Sequence, residues 1–344
     1  MSGNLIFKNK LFTKMRTSTK QEYSKSEFAQ RFGLSEKQAL PDKWSGTFAD
    51  WLEELKLPES LISDLELIYL PICTYLIQSK LISPEKPLII GINGSQGSGK
   101  TTFAHLLSHV LQNFFHYKVI SCSIDDFYLT RTEREILSKE VHPLLLTRGV
   151  PGTHDVDLAI EIFNSLISAD IGTVTSIPVF DKAIDDRNPS EEWIKFGGRP
   201  EIILLEGWCI GALAVSDSEL AQPVNELERE YDLDGKFRKY ANENLRNKYA
   251  RWFHMVDYLI MLKVPEFEKV IEWRWIQEKK LSEKYSAIGK INRIMTQEKV
   301  HFFISHFERI TRQMLKEMPQ TADMVFEINE SHSIERIRMN REIS

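Results

Sequence analysis

Cysteine is scarce in this sequence: Cys73, Cys122 and Cys209 stand far apart and are odd in number. That excludes a disulfide framework and a paired-cysteine metal knuckle, and it leads us to expect a reducing, cytoplasmic setting. Long apolar runs are missing too. The richest stretch, residues 65–77, is broken by Glu66 and Pro71. It falls short of the roughly 18 uninterrupted apolar residues of a membrane span, so no membrane is expected as a partner. Nor is there an excess of positive charge. Lys and Arg total 44 against 49 Asp and Glu, a formal charge of −5 with no basic stripe after the first residues, which argues against nucleic acid as a partner. Internal repeats and low-complexity tracts are absent. What remains is a chain of 344 residues, 42% hydrophobic and 27% charged, ample for one large domain with insertions or two modest ones.

The first 21 residues carry Lys8, Lys10, Lys14, Arg16 and Lys20 and no acid. A secretory signal's apolar core is missing and arginine is scarce, so residues 1–43 are expected to form a loose, basic, polar leader, with an organellar transit peptide as the alternative. Residues 44–82 follow as a helical N-terminal element, on the spacing of Leu52, Leu55, Leu57, Leu61, Leu65, Ile68 and Leu70. From 83 to 344, short apolar runs alternate with amphipathic stretches, the pattern of βα units on a parallel sheet. Runs 87–92, 119–124, 202–205 and 258–262 are predicted strands, with 324–328 a fifth candidate. Between the first two, Phe103, Leu106, Leu107, Val110, Leu111 and Phe114 mark one face of a helix. Polar insertions at about 130–155 and 214–252 interrupt this domain, the second with a helical look; such insertions commonly serve as substrate walls or lids.

The chemistry centres on Gly94-Ser95-Gln96-Gly97-Ser98-Gly99-Lys100-Thr101, which fits GxxxxGK[ST] and sits between the first strand and the helix, with Thr102 following. Glycines let successive N–H groups converge on one point, and the helix N-terminus adds partial positive charge there. A mere glycine turn lacks the Lys-Thr pair. The expected ligand is ATP, with Lys100 on the β- and γ-phosphates and Thr101 on Mg²⁺.

Acids at other strand ends decide where the phosphoryl group goes. The second strand ends in Asp125-Asp126, on the same sheet edge as the P-loop if the strands are parallel. A carboxylate there accepts the proton of an attacking hydroxyl; the alternative is a solvated turn. The run 202–205 ends in Glu206-Gly207-Trp208, the form of a Walker B strand, making Glu206 the second metal-side acid unless it is only a loop residue.

These residues resemble the P-loop metabolite kinases that include uridine kinase, phosphoribulokinase and bacterial pantothenate kinase, and within them the D-glycerate 3-kinase family. The resemblance rests on GSQGSGKTT (94–102), SIDDFYLT (123–130), RGVPGTHDVDL (148–158), PVFDKAIDDR (178–187) and LLEGWCIG (204–211). PVNELE (223–228), EWRWIQE (272–278) and FERITRQM (307–314) agree. It implies an α/β P-loop NTPase fold, a parallel sheet flanked by helices with inserted substrate and lid segments. It implies ATP- and Mg²⁺-dependent phosphorylation of a small hydroxylated acid, D-glycerate to 3-phosphoglycerate. It selects Asp125 over Asp126 as the base and gives the metal to Thr101, Glu206 and Asp125, with Asp155 facing the acceptor.

A glycerate carboxylate needs a cation, and the polar loops offer Arg148, His154, Lys182 and Arg187; Arg187 and His154 are the expected pair, with Tyr128 and Lys182 beside them. Arg148 and Lys182 are equally suited to surface ion pairs. Arg274 stands where related kinases put a lid arginine. Its neighbours Trp273 and Trp275 read mainly as packing, and Arg309 and Arg312 as a solvated helix face rather than a phosphate grip. Two rivals stay open: a kinase of the same fold for a nucleoside, pantothenate or sugar phosphate, and a regulatory ATPase that binds a protein through residues 214–252. The oligomeric state is left open.

Overall fold

Leu88–Gly94 and Ile202–Gly207 are apolar or glycine at every position except Asn93 and Glu206, and in the computed structural model both segments are buried throughout, as strands covered on two faces must be. Residues 20–33, 42–54, 57, 61–78, 85–287 and 295–340 are described. In chain order the strands are β1 (Gln21–Tyr23), β2 (Leu88–Gly94), β3 (Val119–Ser123), β4 (Val174–Ile177), β5 (Phe180–Asp181), β6 (Asp186–Arg187), β7 (Ile194–Gly197), β8 (Ile202–Gly207), β9 (Tyr258–Lys263), β10 (Met324–Ile328) and β11 (Ile334–Met339). Among the described residues the central sheet runs β1-β11-β10-β9-β2-β8-β3. Strands β10, β9, β2, β8 and β3 are parallel, and β11 and β1 extend one edge antiparallel. The mostly parallel α/β architecture is the one implied by the sequence, and the five predicted strands are its parallel core.

Parallel pairing brings the C-terminal strand ends to one edge. Its register sets Ile92 opposite Glu206 and Glu206 opposite Ser123, so three motif-bearing segments emerge side by side. Behind that edge, helix Lys100–Asn113 presses Phe103, Leu106, Leu107, Val110 and Leu111 into the core, with Phe114 half-buried at its end. Small antiparallel ladders, β4 with β7 and β5 with β6, project from the parallel scheme. The 214–252 insertion is largely helical, with helices Asp217–Leu220, Glu226–Tyr231 and Lys236–Asn244.

Two expectations change. The leader is not loose throughout: β1 pairs with β11, and helix Lys25–Phe32, capped by Ser24 and Glu27, buries Phe28 against Phe326. Lys8, Lys10, Lys14 and Arg16 lie outside the described residues. The second change concerns Leu61–Gln78, which by length and composition is long and apolar enough to cross a membrane, although 56% of it is buried inside the protein. Glu66 and Pro71 do not interrupt it because Glu66 faces outward and the π-helical turn Leu65–Tyr69 lets the helix pass Pro71, which has no N–H to donate. This helical element docks on the P-loop helix. Tyr69 meets Phe103 at 5.4 Å between ring centres, and Trp51 of helix Asp42–Glu54 stacks on His109 at 3.8 Å.

Candidate active site

At the end of β2 the chain turns through Ser95–Gly99 into helix Lys100–Asn113. Gly97 (φ +80°) and Gly99 (φ +84°) adopt left-handed backbone that other residues resist. Gly97 is constrained twice, since a Cβ there would stand 2.8 Å from the Trp273 Cβ. Phe103 N–H to the Gly99 carbonyl, at 2.8 Å, is the helix's first backbone bond. The N–H groups of Lys100, Thr101 and Thr102 therefore have no intrahelical acceptor, at the positive end of the helix. Ser95 Oγ, Ser98 Oγ and Gln96 Oε1 are buried and have no partner among the described residues. Buried polar atoms are rarely left so, and here they line a loop shaped for a polyphosphate. Beneath it, the Asn93 amide donates to the carbonyls of Trp208 (3.1 Å) and Ile210 (2.9 Å), tying the loop's strand to the segment after β8.

Glu206 faces the first helical turn. The Thr101 hydroxyl donates to its Oε1 at 3.0 Å, while Oε2 is buried without a partner among the described residues. Paired oxygen donors with an unsatisfied buried carboxylate oxygen fit a hard, partly hydrated cation such as Mg²⁺. Asp125 does not join them. Its Oδ1 accepts the Tyr128 hydroxyl at 2.7 Å and its Oδ2 accepts Lys182 Nζ at 2.6 Å. Of the three expected metal ligands, two are brought together and the third is engaged elsewhere.

The adjacent carboxyls are set apart electrically. Burial pushes Asp125 up, but Lys182 and Lys100, with hydrogen bonds from Lys182 and Tyr128, hold it down at about 2. Asp126 turns back to accept Ser123 N–H at 3.2 Å, and burial, with Asp125 and Glu206 nearby, raises it to about 6. Divergent environments for paired carboxyls are a feature of acid–base sites.

Among the residues expected to face the acceptor, Tyr128 and His154 form a β-bridge and stack at 4.5 Å between ring centres. His154 is buried, its Nδ1 in contact with the Tyr249 hydroxyl, which also accepts Gly152 N–H at 3.0 Å; burial pushes the imidazole down to about 3, so it is neutral. Asp155 Oδ1 caps helix Val156–Ser168 through Leu158 N–H at 3.1 Å. Arg187 departs from expectation. Its Nε and Nη2 donate to the Tyr128 carbonyl (3.2 and 2.8 Å), and Nη1 and Nη2 reach Asp155 Oδ2 (3.5 and 3.4 Å), so it presents no free fork. His154, likewise enclosed, is no cation for a carboxylate. Arg148, Arg131 and Arg134 share Asp185.

Comparison with known proteins agrees with this geometry. A family model described as the KAP family P-loop domain matches residues 67–334. The chain belongs to this P-loop family and to the P-loop kinase superfamily. The uncharacterized kinase mug58 of Schizosaccharomyces pombe is 32% identical over 254 residues, covering 72% of this chain and 87% of that protein. The chloroplastic D-glycerate 3-kinase of Arabidopsis thaliana is 28% identical over 228 residues, 64% of this chain and 46% of the plant protein. A solved D-glycerate 3-kinase from Cryptococcus neoformans matches with a TM-score of 0.62 at 23% identity, covering 76% of this chain and 96% of that one, a likeness of fold.

In this P-loop kinase, helix Phe267–Ala287 lies against the phosphate loop at the Gly97–Trp273 contact. That places Arg274 beside the loop, but its side chain pairs with the buried Glu278 one turn on instead of reaching over the phosphates. Trp273 is buried and packs at a tilt against His332, 3.9 Å between ring centres, and Trp275 lies under Lys279. Arg312 lies on a solvated helix face as expected, whereas Arg309 does not. Arg309 forks onto Glu228 and the carbonyls of Glu219 and Gln222, while Arg312 pairs with Glu308 and Glu268. Arg309 thus fastens the 214–252 insertion to helix Glu308–Glu317. Tyr249 carries this framework without any local sequence pattern to mark it, while Asp185 and Glu228 fall in segments 178–187 and 223–228, where no role was read for them.

Proposed function

We propose that this kinase transfers the γ-phosphoryl group of ATP to a hydroxyl of a small acid, with D-glycerate to 3-phosphoglycerate as its reaction. The observation that carries the reading is the ionised Asp125, set between Lys100 and Lys182 on the sheet edge that also presents Thr101 and Glu206. The loop from Gly94 to Thr102 cradles the phosphates, and Lys100 follows the β- and γ-phosphates. Thr101 and Glu206 would hold Mg²⁺, which when bound supplies charge neutralisation at the phosphate oxygens. Asp125 takes the acceptor's hydroxyl proton as its oxygen attacks in line. Arg274, held beside the loop by the Trp273–Gly97 contact, would serve as the lid-side cation on exchanging its Glu278 partner for phosphate. Tyr128 orients Asp125, and Arg187 braces Tyr128 and Asp155. The acceptor identity draws support from the motif resemblance and from the named activity of the plant relative. Three buried free cysteines support a reducing, cytoplasmic setting.

Replacing Asp125 tests the base. Asp125→Asn should lower kcat by about 10²–10⁴-fold with ATP affinity unchanged. Wild-type turnover in that variant would remove Asp125 from the role.

A further inference from the structure

Counting donors separates structural arginines from available ones on the acceptor side. Arg187 directs its donors to Tyr128 and Asp155. Buried Arg134 gives its own to the carbonyls of Leu129, Leu146 and Asp185. Arg148 differs. Among the described residues its hydrogen bond is the one from Nη1 to Asp185, a carboxylate already shared with Arg131 and Arg134. Nε and Nη2, the edge that grips a carboxylate side-on, stay open. The Arg148 guanidinium lies 5.5 Å from the centre of the Phe180 ring, which meets Tyr128 edge-on at 5.1 Å. Lys182, two residues after Phe180 in the β5–β6 hairpin, reaches Asp125 with a side chain 61% exposed. The ammonium end faces solvent while Asp125 is largely enclosed, so Lys182 is the partner free to swing to a ligand.

We propose that Arg148 and Lys182 form a cationic clamp for the carboxylate of the acceptor, closing over the Tyr128–Phe180 pair. The inference rests on the kinase reading and names the charge its acceptor must carry. On binding, the acceptor's carboxylate takes the open edge of Arg148 and draws Lys182 from Asp125, which leaves Asp125 facing the hydroxyl. The clamp selects acids over neutral alcohols of the same skeleton.

The test compares wild type, Lys182→Gln and Arg148→Lys, the last keeping a charge for Asp185 but losing the fork. Steady-state kinetics with D-glycerate, glycerol and glycerol 3-phosphate accompany calorimetric titration of D-glycerate into protein loaded with a non-hydrolysable ATP analogue. Each variant should raise KM and Kd for D-glycerate on the order of tenfold to a hundredfold, with KM for ATP unchanged and glycerol a poor acceptor throughout. Normal D-glycerate affinity in both variants overturns the clamp while leaving the kinase reading intact. Preferred binding of glycerol 3-phosphate overturns the carboxylate assignment. No D-glycerate binding to wild type overturns clamp and acceptor together, and labelled transfer to a neutral acceptor then shows whether the kinase reading stands.

Discussion

At the scale of single residues, the site depends on groups held where their chemistry is costly. Gly97 is the sharpest case, because a left-handed φ and the Trp273 Cβ both exclude a side chain. Gly97→Ala should lose about 1–2 kcal/mol to backbone strain alone, and more from the clash, with weakened ATP binding. Urea unfolding and nucleotide titration check this; a variant as stable and as avid as wild type would show that the loop relaxes freely. The motif made Gly97 and Lys100 legible in the sequence. The role of Arg187 was not, since its residue type suits a carboxylate and only the placement of the Tyr128 carbonyl and Asp155 shows that its donors are taken.

Among elements, the parallel core was readable because each strand is a contiguous apolar run bounded by turns, and the P-loop helix has a clean apolar face. Strands β1, β4, β5, β6, β7 and β11 were not. They are short or half-exposed: β1 finds its partner at the far end of the chain, with Gln21 opposite Met339, and β5 and β6 are only two residues each, with Phe180 opposite Arg187 across a tight hairpin. The 214–252 insertion announces its helices but not its anchor, the Arg309–Glu228 fork with Glu228 only 4% exposed. Arg309→Met should cost about 3–5 kcal/mol, since it strands a buried carboxylate, and adding Glu228→Gln should recover much of it. A double-mutant cycle in urea measures both. Additive losses would mean that the insertion is fastened by other contacts.

For the molecule as a whole, acid is the informative stress. Burial holds His154 down at about 3 and His306 at about 4 from an ordinary 6.5. Below pH 6.5 the unfolded chain therefore binds more protons than the folded one, and stability falls as pH drops. Asp126, raised from 3.8 to about 6, works oppositely in that window, because acid relieves the cost of its buried charge. Two imidazoles outweigh one carboxyl, so the nucleotide-free protein should unfold at lower urea at pH 5 than at pH 7; greater stability at pH 5 would contradict the burial of both rings. The parallel strand ends of the same architecture carry Lys100, Thr101, Glu206 and, just past β3, Asp125 along one edge. The most direct test of that edge is transfer of label from γ-labelled ATP with Mg²⁺ and D-glycerate, the product identified by mass spectrometry. The account predicts labelled 3-phosphoglycerate formed by wild type and not by Asp125→Asn, whereas label released only as inorganic phosphate, whatever the acid supplied, would contradict it.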